Sequence, residues 1–584
     1  MKQWAEIVGS GLLAAISLAS IAWARPRDGS ARLHSSSFTP IDSKKSDANE
    51  NFAGKLPIRE LNEEEAILHA LNRLGYGPRP GQVEEIKKNG LEKWIQAQLH
   101  PETIGDPVVD ARLAQFPALA LSARELLDQY PPQDVAAKRL GMKVEEYQKH
   151  LQDLSKQPGG ANSFPFKDQN EIVNELMEAK MVRAIYGERQ LAEQLCDFWF
   201  NHFNIFVYKD LDRWYVVPYE RGAIRPHVLG KFRDLLEATA KSPAMLFYLD
   251  NSSSADPQAF QRLKLHPVRA RPGEKLPPLG GKRGLNENYG RELMELHTLG
   301  VDGGYKQEDV IEVARSFTGW TIQSPRENPE FYFDERIHDP DPKRVLGKKV
   351  KGGGIKDGEE VLHLLVNNKK TAQHISLELA EHFVSDDPPP ALVTRMAKTF
   401  QKSKGDIRAV MTAMIYSPEF WSRAAFRAKV KTPFELVAST ARALGADVDQ
   451  PLQLAQWVSR IGEPLYQCLP PTGYSDKAAA WVSTGALLNR VNFAVALTSN
   501  KVRGAQVDIS SMVGTDVRTN PRLALDRVES EFLAGQVSDT TRATLEKEMV
   551  EPRILGAKLD DPVKQVNVDL ITGLVLGSPE FQKR

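Results

Sequence analysis

Residues 286–305 read NENYGRELMELHTLGVDGGY, and this stretch indicates both a helical fold and a place to look for a site. Its apolar positions recur at helical spacing, which predicts a helix over residues 288–299. Two asparagines, four carboxylates, an arginine and a histidine share these twenty residues. A solvated surface helix rarely carries Asn, Tyr, Met and His among its acids, so the stretch indicates a functional site or a buried polar network.

The same periodicity recurs along most of the chain. Further helices are predicted over residues 171–186, 190–206, 225–241, 307–320, 358–366, 371–383, 391–402, 406–416 and 433–444. Strand-like alternation is scarce, and its best example lies between Phe331 and Val350. The chain is therefore predicted to be mainly α, a large multi-helix body with a small β or irregular insertion around residues 321–357. An α/β fold is disfavoured because no series of apolar strands alternates with the helices.

The amino terminus has the pattern of a secretory signal. Lys2 precedes an apolar run over residues 7–22, and Ala22-Trp23-Ala24 fits a small-x-small cleavage site. We therefore predict a signal peptide over residues 1–24 and a periplasmic or secreted mature protein, with no stable membrane span after cleavage. A retained membrane anchor is the alternative, although the apolar run is short and interrupted by Gly and Ser.

The remaining chain divides by composition. Residues 25–56 are rich in Ser, Asp, Lys and Asn, which predicts a disordered tether. Residues 57–584 are predicted to form a single helical body, with exposed connections near residues 251–285 and 501–530. Its first helix is expected to begin at Asn62, because Asn followed by three glutamates is typical of a capped helix start.

Charge and cysteine content exclude several classes of protein. Lys plus Arg number 76 and Asp plus Glu number 76, so the clustered basic excess of a nucleic-acid-binding protein is not expected. Only Cys196 and Cys468 are present, which excludes a disulfide framework and a Cys-rich zinc or iron–sulfur site. Whether these two thiols are isolated or form one bridge stays open. Signatures of serine hydrolases, P-loop nucleotide-binding proteins and zinc proteases are also lacking.

Residues 193–206, EQLCDFWFNHFNIF, form the first candidate site segment. On a helix, His202 falls on the apolar face among aromatic side chains, while Asn201 belongs to a polar stripe. Two interpretations remain. His202 is either a buried histidine with both nitrogens satisfied, or a ligand or general base in an apolar pocket.

The second candidate segment is the opening stretch. Glu292 and Glu295 share a helix face with Asn288, as two carboxylates must if they hold a metal or share a proton. The alternative is an ion pair between Arg291 and Glu295. His297 lies about 160° round the helix from Glu295, so this is not the Glu-x-x-His arrangement of di-iron bundles. A divalent-metal site would need His202 and a third helix.

The third segment, residues 221–250, places Arg225 and His227 in an otherwise apolar pattern. A buried arginine must be paired, so a structural network is one interpretation and an anion-binding pocket is the other. His338-Asp339 is a weaker candidate for a base with its orienting carboxylate.

Seven sequence motifs, taken in chain order, resemble the bacterial domain-of-unknown-function 1800 family. The phrases are LNRLGYGP at 71–78, FWFNHF at 198–203, IRPHVLGKFRDLL at 224–236, SPAMLFYLDN at 242–251, NENYGRELMELHTLG at 286–300, ARSFTGW at 314–320 and HFVSDDPP at 382–389. The resemblance spans about residues 60–580. It implies an exported, largely helical protein of uncharacterised activity. It also implies a partner in the domain-of-unknown-function 1501 family, whose members resemble alkaline-phosphatase-like sulfatases.

Two departures from the family pattern matter. Many members read FWHNHF where this chain has Phe200, and members vary between His and Phe at the position of His297. If one imidazole is exchanged between these motifs, Phe200 and His297 should be neighbours. Near Pro470, the usual Pro-Pro-x-x-x-Gly-Trp is replaced by PPTGY at residues 470–474, which puts a role of that loop in doubt.

The leading hypothesis is an exported helical enzyme with one polar pocket. The predicted catalytic or metal-binding groups are His202, Glu292, Glu295 and His297. The predicted substrate-binding groups are Asn201, Arg225, His227, Asn288 and Arg291, with Arg225 holding an anionic part of the substrate. The alternative is a non-catalytic cell-envelope scaffold or chaperone for a sulfatase-like partner, in which the same residues form a buried network.

Overall fold

The computed structural model describes residues 56–156, 165–265, 284–351, 353–548 and 566–584. The predicted signal peptide and nearly all of the predicted tether lie outside these residues. Within the described ranges, no helix has the length and apolar character needed to cross a membrane. The predicted mainly α fold is confirmed, since nearly all regular elements of the described chain are helices.

The amino-terminal part of the body consists of short helices. They are α1 Glu63–Arg73, α2 Gln82–Asn89, α3 Leu91–Leu99, α4 Pro107–Leu113, α5 Ala123–Gln129, α6 Gln133–Arg139 and α7 Val144–Ser155. The predicted start of α1 is confirmed. Asn62 and Glu65 each accept a 2.9 Å hydrogen bond from the other's backbone N–H, an arrangement that satisfies two donors the helix end would otherwise leave unpaired.

The middle of the chain carries the predicted site segments. Its helices are α8 Gln169–Tyr186, α9 Gln190–His202, α10 Asp212–Tyr219, α11 Phe232–Ala240, α12 Pro243–Tyr248, α13 Ala259–Leu265, α14 Asn288–Glu295 and α15 Gln307–Ser316. The helix predicted over residues 225–241 starts later than expected, at Phe232. A π-helical turn and a 3-10 turn precede it, because Pro226 cannot donate a backbone hydrogen bond into a continuous helix.

Two small hairpins confirm the predicted insertion. Strand β1 Trp320–Gln323 pairs antiparallel with β2 Glu330–Phe333, and β3 Lys343–Val345 pairs antiparallel with β4 Lys348–Val350. The buried Trp320 of the first hairpin packs on Gly358, where an added Cβ would lie 2.6 Å from the indole. The insertion is thus fastened to the helices by a close contact that only glycine allows.

The carboxy-terminal part returns to helices. They are α16 Ile355–Val366, α17 Lys369–Phe383, α18 Pro390–Lys402, α19 Ile407–Ile415, α20 Pro433–Ala443, α21 Pro451–Ile461, α22 Thr484–Thr498, α23 Ile509–Val513, α24 Pro521–Leu533, α25 Asp539–Glu548, α26 Val568–Leu576 and α27 Pro579–Gln582. A third strand pair joins β5 Asp447–Val448 to β6 Ala505–Gln506.

The prediction of an exposed connection over residues 501–530 is wrong. That stretch contains β6, α23 and most of α24, and it buries Val517 and Leu525 in the core. Asn520 caps α24, and Pro521 occupies its first position, so the helix start has a local signal that periodicity alone does not show. In the other predicted connection, Asn251 is buried, while residues 266–283 lie outside the described ranges.

One contiguous apolar core includes residues from Leu61 to Phe581. Helix α9 passes through it, with Leu195 and Trp199 fully buried. Helix α17 lies beside α9, since the rings of Phe198 and His382 are 5.3 Å apart. Polar side chains on the facing surfaces of these two helices range from buried, as for His202 and His382, to partly exposed, as for Glu378.

Candidate active site

A cleft opens where α9, α17 and the loop over residues 470–477 meet. Its volume is 160 Å³. The polar side chains in its walls are Asn201, His202, Glu378, Glu381, Thr472, Tyr474, Ser475, Asp476 and Lys477. An adjoining cavity of 40 Å³ shares several of these walls and reaches His382. Both volumes fall below the roughly 300 Å³ at which drug-sized ligand pockets begin, so the cleft suits a small molecule or one end of a larger one.

Helix α17 supplies most of the titratable groups on one wall. His374, Glu378, Glu381 and His382 recur at i, i+4, i+7 and i+8, a spacing that places their side chains on one helix face. His382 is buried, while Glu378 and Glu381 are partly exposed. The face therefore presents Glu378 and Glu381 to the cleft and His382 to the protein interior.

His202 joins α9 to this face. Its Nδ1 lies 2.8 Å from Glu378 Oε2, and its Nε2 lies 3.3 Å from the backbone oxygen of His297. His202 Nδ1 therefore lies within ion-pair distance of Glu378, although Glu378 Oε2 forms no hydrogen bond within the described chain. The buried ring and the partly exposed Glu378 carboxylate form a close pair between α9 and α17.

His382 forms a second histidine–carboxylate pair with the loop. Its Nδ1 lies 2.6 Å from Asp476 Oδ1, and its Nε2 lies 3.3 Å from Gln194 Oε1. The phenyl ring of Phe198 contacts both His202 and His382, with centroids 6.3 Å and 5.3 Å away. Two imidazoles near one aromatic ring thus lie close to two carboxylates in neighbouring walls of the cleft.

Glu381 and Asp476 have environments that move their pKa values apart. Burial raises the pKa of Glu381, Lys477 opposes that effect, and the carboxylates of Glu378 and Asp476 add to it. Burial acts in the same direction on Asp476, but the His382 ring and the cations beside it lower its pKa overall. Glu381 is therefore the better proton donor of the two, and Asp476 the better carboxylate.

The loop that carries Asp476 is anchored on Asn201. The side chain of Asn201 donates to the backbone oxygen of Tyr474 at 2.8 Å and accepts from the backbone N–H of Tyr474 at 2.7 Å. Gly473 has a φ of +67°, and a Cβ there would lie 2.4 Å from the backbone oxygen of Asn201. Glycine is required at this point because the loop both turns left-handed and touches α9.

Of the nine site residues predicted from the sequence, the cleft walls include Asn201 and His202. His297 lies close by in the turn after α14, with its ring 6.0 Å from that of His202 and 5.0 Å from that of Phe203. It is buried, and its Nε2 has no hydrogen-bond partner within the described chain. Burial and the neighbouring His202 and His374 rings hold its pKa well below the ordinary value, so the ring is neutral.

The acidic face of α14 does not reach the cleft. Glu292 and Glu295 are partly exposed, and burial together with the Glu295 carboxylate raises the pKa of Glu292. Glu295 accepts a 3.2 Å hydrogen bond from the hydroxyl of Tyr305. Neither side chain belongs to the cleft walls. Glu292 and Glu295 therefore lie near each other but not in the cleft with His202.

Asn288 and Arg291 also belong to the surface of α14. Asn288 is exposed, and its side chain donates to the backbone oxygen of Leu249 at 3.4 Å. The expected ion pair between Arg291 and Glu295 is wrong. Arg291 pairs instead with Glu287, at 3.2 Å, because the side chain extends toward the amino-terminal turn, as helical side chains tend to do.

Arg225 lies in a separate ionic network. It donates to Glu193 and to Glu220, each at 2.8 Å. Burial by itself raises the pKa of Glu220, but Arg225, Arg183 and Lys180 together lower it to about 2. The guanidinium is thereby occupied by two carboxylates. His227 is half-buried in the 3-10 turn that follows.

The prediction that Phe200 and His297 are neighbours is wrong. Its ring contacts Tyr466 and Tyr219, at 4.9 Å and 5.8 Å between centroids, and in the described part of the chain no ring contact joins it to His297. Phe200 and His202 are two residues apart on a helix, which turns their side chains to different faces. The face that carries His202 meets the turn after α14, and the face that carries Phe200 does not.

The structure also bears on metal and thiol chemistry. Across the described ranges, no three His, Cys, Asp or Glu side chains are grouped so as to hold one metal ion. The divalent metal that the sequence left as one possibility therefore has no such ligand group in that part of the chain. Cys196 and Cys468 are both buried and both free. His338 pairs with Asp357 at 3.2 Å and not with its sequence neighbour Asp339, which binds Arg315 instead.

Sequence reasoning missed most of the cleft. Glu378, Glu381, His382 and Asp476 were not among the predicted site residues. The repeat of His374, Glu378 and His382 at intervals of four is the signal that was available. In sequence this repeat looks like the solvent-facing side of an ordinary amphipathic helix. Only the packing of α9 against α17 shows that it lines a cleft.

Comparison with known proteins agrees with the resemblance seen in the sequence. The family model described as Protein of unknown function (DUF1800) matches residues 69–583. No curated protein and no solved structure was found to match the chain. Because the family model covers nearly the whole chain, from the first helix of the body to the last, the chain belongs to the DUF1800 family of proteins of unknown function.

Proposed function

We propose that this protein is an acid–base enzyme whose catalytic groups are the carboxylates of the cleft. The observation that carries the proposal is that the carboxylates of two histidine–carboxylate pairs, His202–Glu378 and His382–Asp476, lie in the walls of one cleft, while His382 itself borders the adjoining cavity. Glu381 lies between them on α17. Enzymes that transfer protons near neutral pH use groups whose pKa values the surroundings have moved apart.

In this proposal Glu381 donates a proton to the leaving group of the substrate. The Asp476 or Glu378 carboxylate accepts a proton from the attacking water or hydroxyl group. His202 and His382 are positioning residues, since each ring has a carboxylate close to Nδ1 and an oxygen of another segment close to Nε2. Most glycoside hydrolases use two carboxyl groups in these complementary roles.

The wall chemistry also limits the substrate. Three carboxylates face one lysine, Lys477, which disfavours an anionic substrate. Asn201, Tyr474 and Ser475 supply hydrogen-bonding groups suited to hydroxyls. A small neutral molecule rich in hydroxyl groups, or the terminal unit of a larger one, is the class that fits best.

A panel of chromogenic glycosides, with esters and phosphate monoesters beside them, tests the proposal on the purified full chain. We expect a glycoside to be hydrolysed with a bell-shaped dependence on pH, and Glu381→Gln to lower kcat by at least about a hundredfold. Glu295→Gln is the matched control, because Glu295 lies on α14 outside the cleft walls, and it should retain activity. Full activity in a folded Glu381→Gln protein, or turnover of phosphate monoesters alone, would overturn the proposal.

We also propose that the enzyme is exported and works beside a sulfatase-like protein of the domain-of-unknown-function 1501 family. Export is supported by the signal-like pattern of residues 1–24, and the partner by the family resemblance. Fractionation of cells that make the tagged chain tests the first, and co-purification with the partner tests the second. The non-catalytic scaffold gains if the partner co-purifies while Glu381→Gln leaves every cellular phenotype intact.

A further inference from the structure

A second cavity lies away from the cleft. It has a volume of 350 Å³ and is bordered by α1, by the end of α24 and by residues 580–584. Three aromatic rings, Phe426, Phe532 and Phe581, belong to its walls together with Leu68 and Val83. This volume falls within the range of ordinary small-molecule sites, which are mostly apolar with a few polar groups.

The acidic side chains of this cavity are largely occupied. Glu64 and Glu84 both pair with Lys87, at 3.3 Å and 2.7 Å. Glu580 accepts hydrogen bonds from the hydroxyl of Thr541. These three carboxylates therefore have partners of their own, while burial raises the pKa of the fourth acidic wall residue, Glu531.

Two cations of the walls have no such partner. Lys431 donates to the hydroxyl of Ser439 at 2.7 Å, and its ammonium lies 4.1 Å from the centre of the Phe581 ring. Arg427 donates to the backbone oxygens of Gln536 and Leu533. Within the described chain neither cation forms a salt bridge, although Lys431 is only 3% exposed. A buried cation that lacks a counter-ion is costly, which makes the site receptive to an anion.

His69 adds a further unused group to the same walls. Its Nε2 lies 2.8 Å from the backbone oxygen of Phe420, while Nδ1 has no hydrogen-bond partner in the described chain. Burial, with the nearby Arg73, holds its pKa well below the ordinary value, so the neutral ring donates from Nε2 and keeps a lone pair on Nδ1. Burial likewise lowers the pKa of Lys431 to about 7; the Glu435 carboxylate opposes this effect, and neighbouring arginines, Arg427 among them, add to it.

We propose that this cavity binds a small aromatic carboxylate, with Lys431 and Arg427 neutralising its charge and the three phenylalanines enclosing its ring. Two cations that form no salt bridge within the described residues favour an anion, and the phenyl walls favour an apolar, flat body. The site is independent of the cleft and of the chemistry proposed there. A neutral molecule of the same shape would leave both cations without a counter-ion.

Calorimetric titration of the full chain with benzoate, and with benzyl alcohol as its neutral counterpart, tests the proposal. We expect saturable binding of benzoate with a rise in melting temperature, and much weaker binding of the alcohol. Lys431→Gln should weaken benzoate binding at least about tenfold. Ala443→Phe, which fills the cavity without altering its charge, should abolish it. Lys477→Gln, a change in the cleft, should leave it unaltered.

Lys431→Gln and Ala443→Phe test the cavity independently of each other. If Lys431→Gln fails to fold, Ala443→Phe still removes the space, because Ala443 is a half-buried wall residue at the end of α20. Benzoate binding that survives in a folded Ala443→Phe protein would overturn the proposal. Equal affinity for benzoate and benzyl alcohol would overturn it too, as would binding lost in Lys477→Gln.

Discussion

Glu378 on α17 places a carboxylate oxygen 2.8 Å from Nδ1 of His202 on α9. The other nitrogen of the ring faces the backbone oxygen of His297, in the turn that ends α14. A single imidazole therefore ties together three segments that are far apart in sequence. His374 of α17 makes the matching contact one residue earlier, with Nε2 lying 3.0 Å from the backbone oxygen of Leu296. Carbonyls at a helix end lack partners within the helix, and imidazoles are suitable donors to them.

The first prediction concerns the coupling between His202 and Glu378. His202→Ala and Glu378→Ala, made singly and together, should lower the free energy of unfolding by amounts that do not add. We expect a coupling of about 1 kcal/mol, because Glu378 is partly exposed and solvent screens the pair. Urea denaturation near neutral pH measures it. His202→Ala combined with Glu308→Ala, an exposed glutamate of α15, is the control and should be additive.

The second prediction concerns Gly473, where the loop touches α9. Gly473→Ala forces a Cβ against the backbone oxygen of Asn201 and should cost on the order of 2 kcal/mol. The matched control is Gly535→Ala, since Gly535 has the same φ of +67° but nothing within 4 Å of its added Cβ. Hydrogen exchange should rise in residues 470–477 of the first variant only. Equal protection of that loop in both variants would show that the contact does not hold it.

A third prediction separates a structural arginine from a surface one. Arg225→Met leaves the carboxylates of Glu193 and Glu220 without their shared counter-ion and should destabilise the protein by about 3 kcal/mol. Arg291→Met removes a partly exposed pair with Glu287 and should cost less than about 1 kcal/mol. Urea denaturation of the two variants provides the comparison. A substrate-binding role for Arg225 alone would instead leave stability nearly unchanged.

The fourth prediction is a dependence of stability on pH through Glu463. Burial, with the Asp197 carboxylate adding to it, raises the pKa of Glu463 from 4.5 to about 8. Between pH 4.5 and about 8 the folded state therefore holds a proton that the unfolded chain has released. The free energy of unfolding falls as pH rises through this range and levels off above it. Glu463→Gln keeps an acceptor for the backbone N–H of Phe434, which donates to Glu463 at 2.8 Å.

We expect Glu463→Gln and the parent protein to be equally stable at about pH 5, and the variant to be more stable by on the order of 3 kcal/mol at about pH 9. Thermal and urea unfolding across this range check it. Glu308→Gln, at an exposed position, should follow the parent at both pH values. A parallel decline of Glu463→Gln and the parent would assign the pH dependence to other groups.

Local signals in the sequence determined the helical class, the capped start of α1 at Asn62 and the β insertion after Trp320. Periodicity and capping act within a few residues, so they can be read without the fold. The sequence also pointed to Asn201 and His202, because a histidine among aromatic residues on a helix is unusual.

Only the tertiary structure decided which groups share a site. The acids of α14 are as polar as those of α17, but α14 presents them away from the cleft, whereas α17 packs its polar face against α9. Arg225 likewise looked available in sequence and is occupied by Glu193 and Glu220 in the fold. The physical reason is that a carboxylate acquires its role from burial and from the charges around it. Those neighbours come from segments brought together only when the core forms.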